Sequence, residues 1–167
     1  MGIIVRKATP SDAEHIATAY RSDNPYLDNI LKSTPDTPEN LYRFGGVWMH
    51  KDSCAEHIRL FREYGGEVFV AELGRKVVGH IEVILDANRR IGEYVYISVL
   101  MVHRDYRRRG IGRMLVETVV DYTREKGRDK ILVAAEEQSV GFYKKLGFEV
   151  EEEWLSVYVA KQRSKVV

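Results

Sequence analysis

Cysteine is almost missing from this chain. Its 167 residues include one, Cys54, so no internal disulfide can form and the composition fits a reducing compartment. Proline is scarce, with four in all, and no Pro-rich, repetitive or low-complexity stretch divides the chain. One domain, residues 1–167, is the expectation at this length. No apolar run approaches the roughly 20 residues of a membrane span, and the run at Ile3, Ile4 and Val5 is far too short for a signal peptide. A cytoplasmic location is therefore expected. Met1-Gly2 is not read as a myristoylation site, because residue 6 is Arg rather than Ser or Thr. An excess of one charge is also absent: 26 Lys and Arg stand against 25 Asp and Glu. That balance makes no case for nucleic acid or a membrane surface as partner. His50 and His57 are too far apart for a helical metal pair, and no cysteine or third histidine joins them, so no metal is expected. Both are read as solvated or core histidines, and Cys54 as packing.

What is present alternates strand and helix signals. Residues 3–7 form a β-branched first strand. Thr9-Pro10-Ser11-Asp12 opens a helix, with Thr at the N-cap, Pro at the first helical position and an acid at N3, and Ala13, Ile16, Ala17 and Tyr20 mark its apolar face. Residues 21–50 are the least regular part. Asn24-Pro25 and Thr37-Pro38 predict short helices over 26–32 and 39–44, with Tyr26, Tyr42, Phe44 and Trp48 anchoring or lining a functional loop. Asp52 or Ser53 caps a second long helix carrying Cys54, Ile58 and Phe61, and Gly65 ends it.

Residues 67–73 and 76–85 read as a hairpin around Gly74-Arg75, and the next strand runs from 93 to about 103. Alternation puts Val95, Ile97 and Val99 on one face, and Tyr94, Tyr96 and Ser98 on the other. If the strands are neighbours, His80, Glu82, Tyr94, Tyr96 and Ser98 share a polar surface that is either a reaction surface or simply a solvated sheet face. A helix after Gly110 buries Ile111, Leu115, Thr118, Val119 and Tyr122 and ends at Gly127. A strand over 130–135, a helix over 139–146 closed by Gly147, and strands over 148–150 and 154–160 complete the pattern.

The chain is organised around residues 99–113, V-L-M-V-H-R-D-Y-R-R-R-G-I-G-R. An apolar strand enters a basic loop, two glycines follow, and a helix begins. A helix N-terminus has unpaired N–H groups and about half a positive charge, which suits an anion. The P-loop pattern G-x-x-x-x-G-K-[ST] is absent. The dinucleotide pattern G-x-G-x-x-G fails because Leu115 stands at its third glycine. What remains is R-x-x-G-x-G, from Arg107 to Gly112.

This loop resembles the acetyl-CoA loop of the GCN5-related N-acetyltransferase (GNAT) family. L-x-V-H-x-x-Y, from Leu100 to Tyr106, and F-Y-x-x-L-G-F, from Phe142 to Phe148, are similar to that family as well, and so is the element order β-α-α-β-β-β-α-β-α-β-β. The resemblance implies a mixed α/β (α+β) acyl-CoA N-acyltransferase fold, with a central, mostly antiparallel sheet flanked by about four helices. It implies acetyl-CoA as cosubstrate, without a metal, and transfer of an acetyl group to a primary amine by direct attack in a ternary complex. The acceptor is a small-molecule amine, a lysine side chain or a peptide N-terminus. The alternative is a non-catalytic acyl-CoA-binding or sensing domain. A homodimer is compatible with the sequence, which does not fix the oligomeric state.

The resemblance also distributes roles. The backbones of Leu100 and Val102 would pair with the pantetheine arm, with the N–H of Leu100 or Met101 aimed at the thioester oxygen. Arg107, Arg108, Arg109, Gly110, Ile111, Gly112 and Arg113 would hold the pyrophosphate. Ser139 could add a hydroxyl contact. Tyr143 would protonate the leaving thiolate, with Phe142 competing to face the cofactor. Glu82 and then Glu93 are the candidates for the general base. The family often carries Asn where this chain has Glu136, which makes Glu136 a third.

Overall fold

A computed structural model describes residues 2–23, 48, 50–88, 92–151 and 154–158. The short helices expected over 26–32 and 39–44, and the chain beyond 158, lie outside these residues. Among the described residues the elements are β1 (Ile3–Lys7), a 3₁₀ turn (Pro10–Asp12), α1 (Ala13–Arg21), α2 (Lys51–Glu63), β2 (Gly66–Leu73), β3 (Lys76–Asn88), β4 (Gly92–Val102), a 3₁₀ turn (Arg104–Tyr106), α3 (Ile111–Glu125), β5 (Lys130–Val133), α4 (Glu137–Lys145), β6 (Glu149–Glu151) and β7 (Trp154–Tyr158). They form one seven-stranded sheet in the order β1-β2-β3-β4-β5-β7-β6, antiparallel except where β4 meets β5. This is the expected mixed α/β fold, with four flanking helices among the described residues.

Local chemistry sets the element ends. The Thr9 N–H donates to Asp12 Oδ2 at 2.7 Å, closing the capping box read from the sequence. Arg6 adds a two-pronged contact to the same carboxylate, 2.8 Å to each oxygen, so β1 and α1 are joined through a buried acid. The Arg6 guanidinium and the Thr9 donors outweigh burial and hold the Asp12 carboxyl below its ordinary range. The second long helix begins two residues earlier than a cap at Asp52 implies, with His50 as N-cap, and Ser53 donates its hydroxyl to the His50 carbonyl at 3.1 Å.

Two apolar layers sandwich the sheet. On one face Phe69, Ile81, Val83, Val95 and Ile97 pack against Leu115 and Val119 of α3 and Tyr143 of α4. On the other, Val68, Val70 and Val77 pack against Ile16 of α1, Trp48, and Cys54 and Ile58 of α2. Fully burying each large aliphatic side chain stabilises the fold by about 1.5–3 kcal/mol.

One expectation of the alternation is corrected. Glu82 pairs with Val99 but Val83 pairs with Ile97, so Ser98 is an extra residue, a β-bulge in β4. The bulge switches the faces beyond it. Val99 packs with the α1/α2 layer rather than with Val95 and Ile97, while Leu100 and Val102 turn to the α3 layer. A register change of this kind leaves no mark in an apolar run such as 95–102.

Candidate active site

The parallel pair β4/β5 ends early. Its register runs Val95–Ile131, Tyr96–Leu132 and Ile97–Val133, and there β5 stops, two residues short of the expected end, while β4 continues to Val102. The strands part because nothing continues the ladder on that edge. The His103 N–H donates to the Val78 carbonyl at 2.9 Å, and antiparallel ladders alternate. Met101 and Val99 therefore turn their N–H and C=O groups to β3, and Leu100 and Val102 turn theirs to the open edge. The Val102 carbonyl is taken by Arg107 Nε at 2.9 Å. Both groups of Leu100 and the Val102 N–H remain without a strand partner among the described residues. The geometry thus selects Leu100 over Met101 as the N–H donor into the gap.

The gap opens into a cleft of about 800 Å³. Its floor is residues 97–102. One wall is the loop into α3, with Arg107, Arg108, Gly110, Ile111, Gly112 and Arg113. The other is the start of α4, with Glu136, Gln138, Ser139, Phe142 and Tyr143, and Tyr20 and Asp23 close the α1 end. Gly110 caps α3 at φ 80°, and Arg108 is also left-handed at φ 63°, so the loop curls around the helix start. The first N–H groups of α3 face no preceding helical carbonyl.

The four arginines divide their work. Arg107 is occupied by Val102 and by an ion pair with Asp23, which ties the end of α1 to the loop. Arg109, expected among the phosphate ligands, lies off the cleft. Its guanidinium sits 5.3 Å from the Tyr106 ring centroid and donates to the Asp105 carbonyl at 3.3 Å. Arg108 and Arg113 line the cleft without an ion-pair partner among the described residues. Of the four arginines, these are the two placed to meet an anion there, and Lys145 of α4 lines the same cleft.

On α4, Tyr143 and Phe142 both line the cleft, although the sequence reading allowed room for one. The Tyr143 ring packs 5.1 Å from Phe142 and 5.2 Å from Phe148. Burial raises its pKa above the ordinary phenol value, with the nearby Tyr96 adding to the effect. Its hydroxyl therefore stays protonated at neutral pH. Glu136 is the N-cap residue of α4, and Gln138 Nε2 donates to it.

The three base candidates separate. Glu93 lies at the far end of β4, outside the cleft, and binds Arg128. Glu136 is exposed at the cleft rim. Glu82 is only 5% exposed, on the α1/α2 face of β3. It accepts from Ser98 Oγ at 2.6 Å on one oxygen and from His57 Nε2 at 2.9 Å on the other. The sequence alone gives His57 as a solvated or core histidine. Its position three residues after Cys54 on the apolar face of α2 was the available signal. His80, two residues before Glu82, is fully buried against Trp48, with ring centroids 4.8 Å apart. No group of three His, Cys, Asp or Glu able to hold a metal occurs among the described residues. No helix among them is long and apolar enough to cross a membrane.

The model of the acetyltransferase (GNAT) family matches residues 27–148. An uncharacterized N-acetyltransferase of Methanocaldococcus jannaschii is 34% identical over 89 residues, which is 50% of this chain and 39% of that protein. A glucosamine 6-phosphate N-acetyltransferase of Trypanosoma brucei brucei is 29% identical over 52% of this chain and 60% of its own length. The chain thus spans less than two thirds of each of these relatives. Among solved structures, the PaiA N-acetyltransferase of Thermoplasma acidophilum in complex with coenzyme A superposes with a TM-score of 0.67 at 18% identity, covering 95% of this chain and 99% of that one. A Brucella melitensis acetyltransferase in complex with acetyl-CoA gives 0.63 at 16% identity, over 98% and 92%. The family model covers most of the chain, and the split sheet, the basic loop and the helix start agree with it: this chain belongs to the GNAT acetyltransferase family.

Proposed function

We propose that this protein is an acetyl-CoA-dependent N-acetyltransferase that acts on a primary amine by direct attack, with both reactants bound at once. The observation that carries the reading is the open edge of β4. It offers unpaired main-chain groups at Leu100 and Val102, and it leads directly to the start of α3 and the free Arg108 and Arg113. An amide-bearing arm can extend the sheet there while a pyrophosphate meets the helix N-terminus. The shape fits acetyl-CoA at both ends, and Gly112 leaves the helix start bare. A Cβ there would stand only 3.2 Å from the Phe142 ring.

Bound acetyl-CoA supplies an acetyl carbon activated by a sulfur leaving group. The chain supplies the rest. The Leu100 N–H donates to the carbonyl oxygen as negative charge develops there. Tyr143 gives its hydroxyl proton to the departing sulfur, and the proton shed by the attacking nitrogen restores it. Glu82 receives the earlier proton, the one that an alkylamine carries at neutral pH. Binding both reactants in one cleft adds the advantage of proximity.

The Tyr143→Phe variant keeps the ring packing and removes the acid. Its kcat should fall about 100-fold, with acetyl-CoA affinity within about twofold of wild type, as measured by thiol release and calorimetry. Unchanged kcat would remove Tyr143 from the reaction.

A further inference from the structure

Glu82 presents a difficulty as a base. Its carboxylate is buried and does not line the cleft, so an acceptor amine cannot touch it. Ser98 does line the cleft. It is the extra residue of the β4 bulge, it is exposed, and its hydroxyl donates to Glu82 Oε1 at 2.6 Å. The bulge puts an exposed residue on the cleft while its hydroxyl binds the buried acid. His57 holds the other carboxylate oxygen from α2 at 2.9 Å. A ring nitrogen that faces a carboxylate at this distance carries the proton and donates it.

We infer that Ser98 is the contact through which the acceptor ammonium loses its proton, with Glu82 as the final acceptor and His57 as the residue that positions Glu82. This rests on the N-acetyl-transfer reading above. The step balances simply. The ammonium N–H bond breaks and its proton goes to Ser98 Oγ, while the Ser98 O–H proton passes to Glu82 Oε1. A neutral amine and a neutral carboxylic acid replace an ammonium and a carboxylate, with no oxidation or reduction. Glu82 returns its proton to solvent by the same path after product leaves. The order Ser–Glu–His differs from the order of a nucleophilic serine triad, in which histidine stands in the middle. With the carboxylate in the middle, the serine relays a proton and does not take up the acetyl group.

Among the described residues, the titratable groups around Glu82 are His57 and Cys54 from α2, and His80 from its own strand, with the Ser98 hydroxyl reaching it from β4.

The test uses the full chain with acetyl-CoA and three acceptors: spermidine, glucosamine 6-phosphate and a tetrapeptide with a free N-terminus. Kinetics are then followed with the one that wild type acetylates. Ser98→Ala should lower kcat about 100-fold at neutral pH, with KM and acetyl-CoA affinity within about twofold of wild type. The deficit should shrink as pH rises toward the pKa of the amine, because free amine then needs no relay. Ser98→Thr, which keeps a hydroxyl, should recover most of the rate. His57→Gln, which keeps a donor, should retain more kcat than His57→Ala, again at constant KM. A Ser98→Ala enzyme with wild-type kcat, or with a deficit independent of pH, would overturn the relay while leaving N-acetyl transfer intact. A wild-type protein that acetylates none of the three would overturn the transferase reading and the relay with it.

Discussion

Replacing Gly112 by Trp will abolish measurable acetyl-CoA binding, an effect of at least about 100-fold, or 2.7 kcal/mol or more. Gly112 is the second residue of α3, where the main chain must stay bare for a phosphate to approach its N–H groups. It also faces Phe142. A Cβ built on it lies 3.2 Å from the ring's Cζ and 3.3 Å from Cε2. An indole therefore cannot lie down beside α4 and must project into the cleft, over the N–H groups of the helix start. Backbone conformation is not the obstacle, because Gly112 is helical, so the helix itself should survive. Far-UV circular dichroism checks the fold and calorimetric titration checks affinity. A well-folded Gly112→Trp protein with wild-type affinity would remove the helix start from the binding site.

The second large effect is on stability. His80 is fully buried, and neither ring nitrogen has a partner among the described residues. Burial, with nearby His57 in a minor part, pushes its pKa down to about 3. The native imidazole is therefore neutral at pH values where the unfolded one, titrating near 6.5, binds a proton. Between those values the unfolded state holds one more proton than the native state. Stability is thus lost as pH falls, by about 1.4 kcal/mol per unit from this group. Partly buried His103, also shifted downward, acts in the same direction, so the informative quantity is the difference between variant and wild type. His80→Leu removes two unsatisfied buried nitrogens and keeps an apolar contact for Trp48. We expect it to be more stable by about 1–3 kcal/mol at pH 7. The advantage should widen by about 2 kcal/mol at pH 5, as measured by urea unfolding. An unchanged or smaller advantage at pH 5 would mean that His80 is solvated or paired in the native protein.

Much of this was legible in the residues, for identifiable reasons. Local signals gave the elements. The Thr9–Asp12 capping box, the Gly110 start of α3 and the Gly147 stop after α4 each depend on neighbours in sequence. Most of the cleft's loop residues were also legible, because R-x-x-G-x-G is a local pattern and the helix start it marks does line the cleft. Three things were not. The Ser98 bulge depends on where β3 pairs with β4, and a run of apolar residues looks the same with or without it. The fate of each arginine depends on tertiary partners: Arg107 meets Asp23 just past α1, Arg109 meets the Tyr106 ring, and Arg108 and Arg113 have no ion-pair partner among the described residues. Finally, the His57–Glu82 contact joins residues from a helix and a strand that are distant in sequence. No spacing rule predicts it, so His57 reads as an ordinary histidine, and Glu82 stands as the first base candidate with nothing in the sequence to show that it is buried and paired.

The central claim is that the open edge of β4 and the start of α3 together hold acetyl-CoA for transfer to an amine. Calorimetric titration of the full chain with acetyl-CoA, followed by thiol release across a panel of amines, tests it most directly. Micromolar binding at one site per chain is expected, with stoichiometric release of CoA with one class of primary amine. Absence of binding would contradict the assignment of the cleft itself, and tight binding with no release to any amine would contradict the transferase reading.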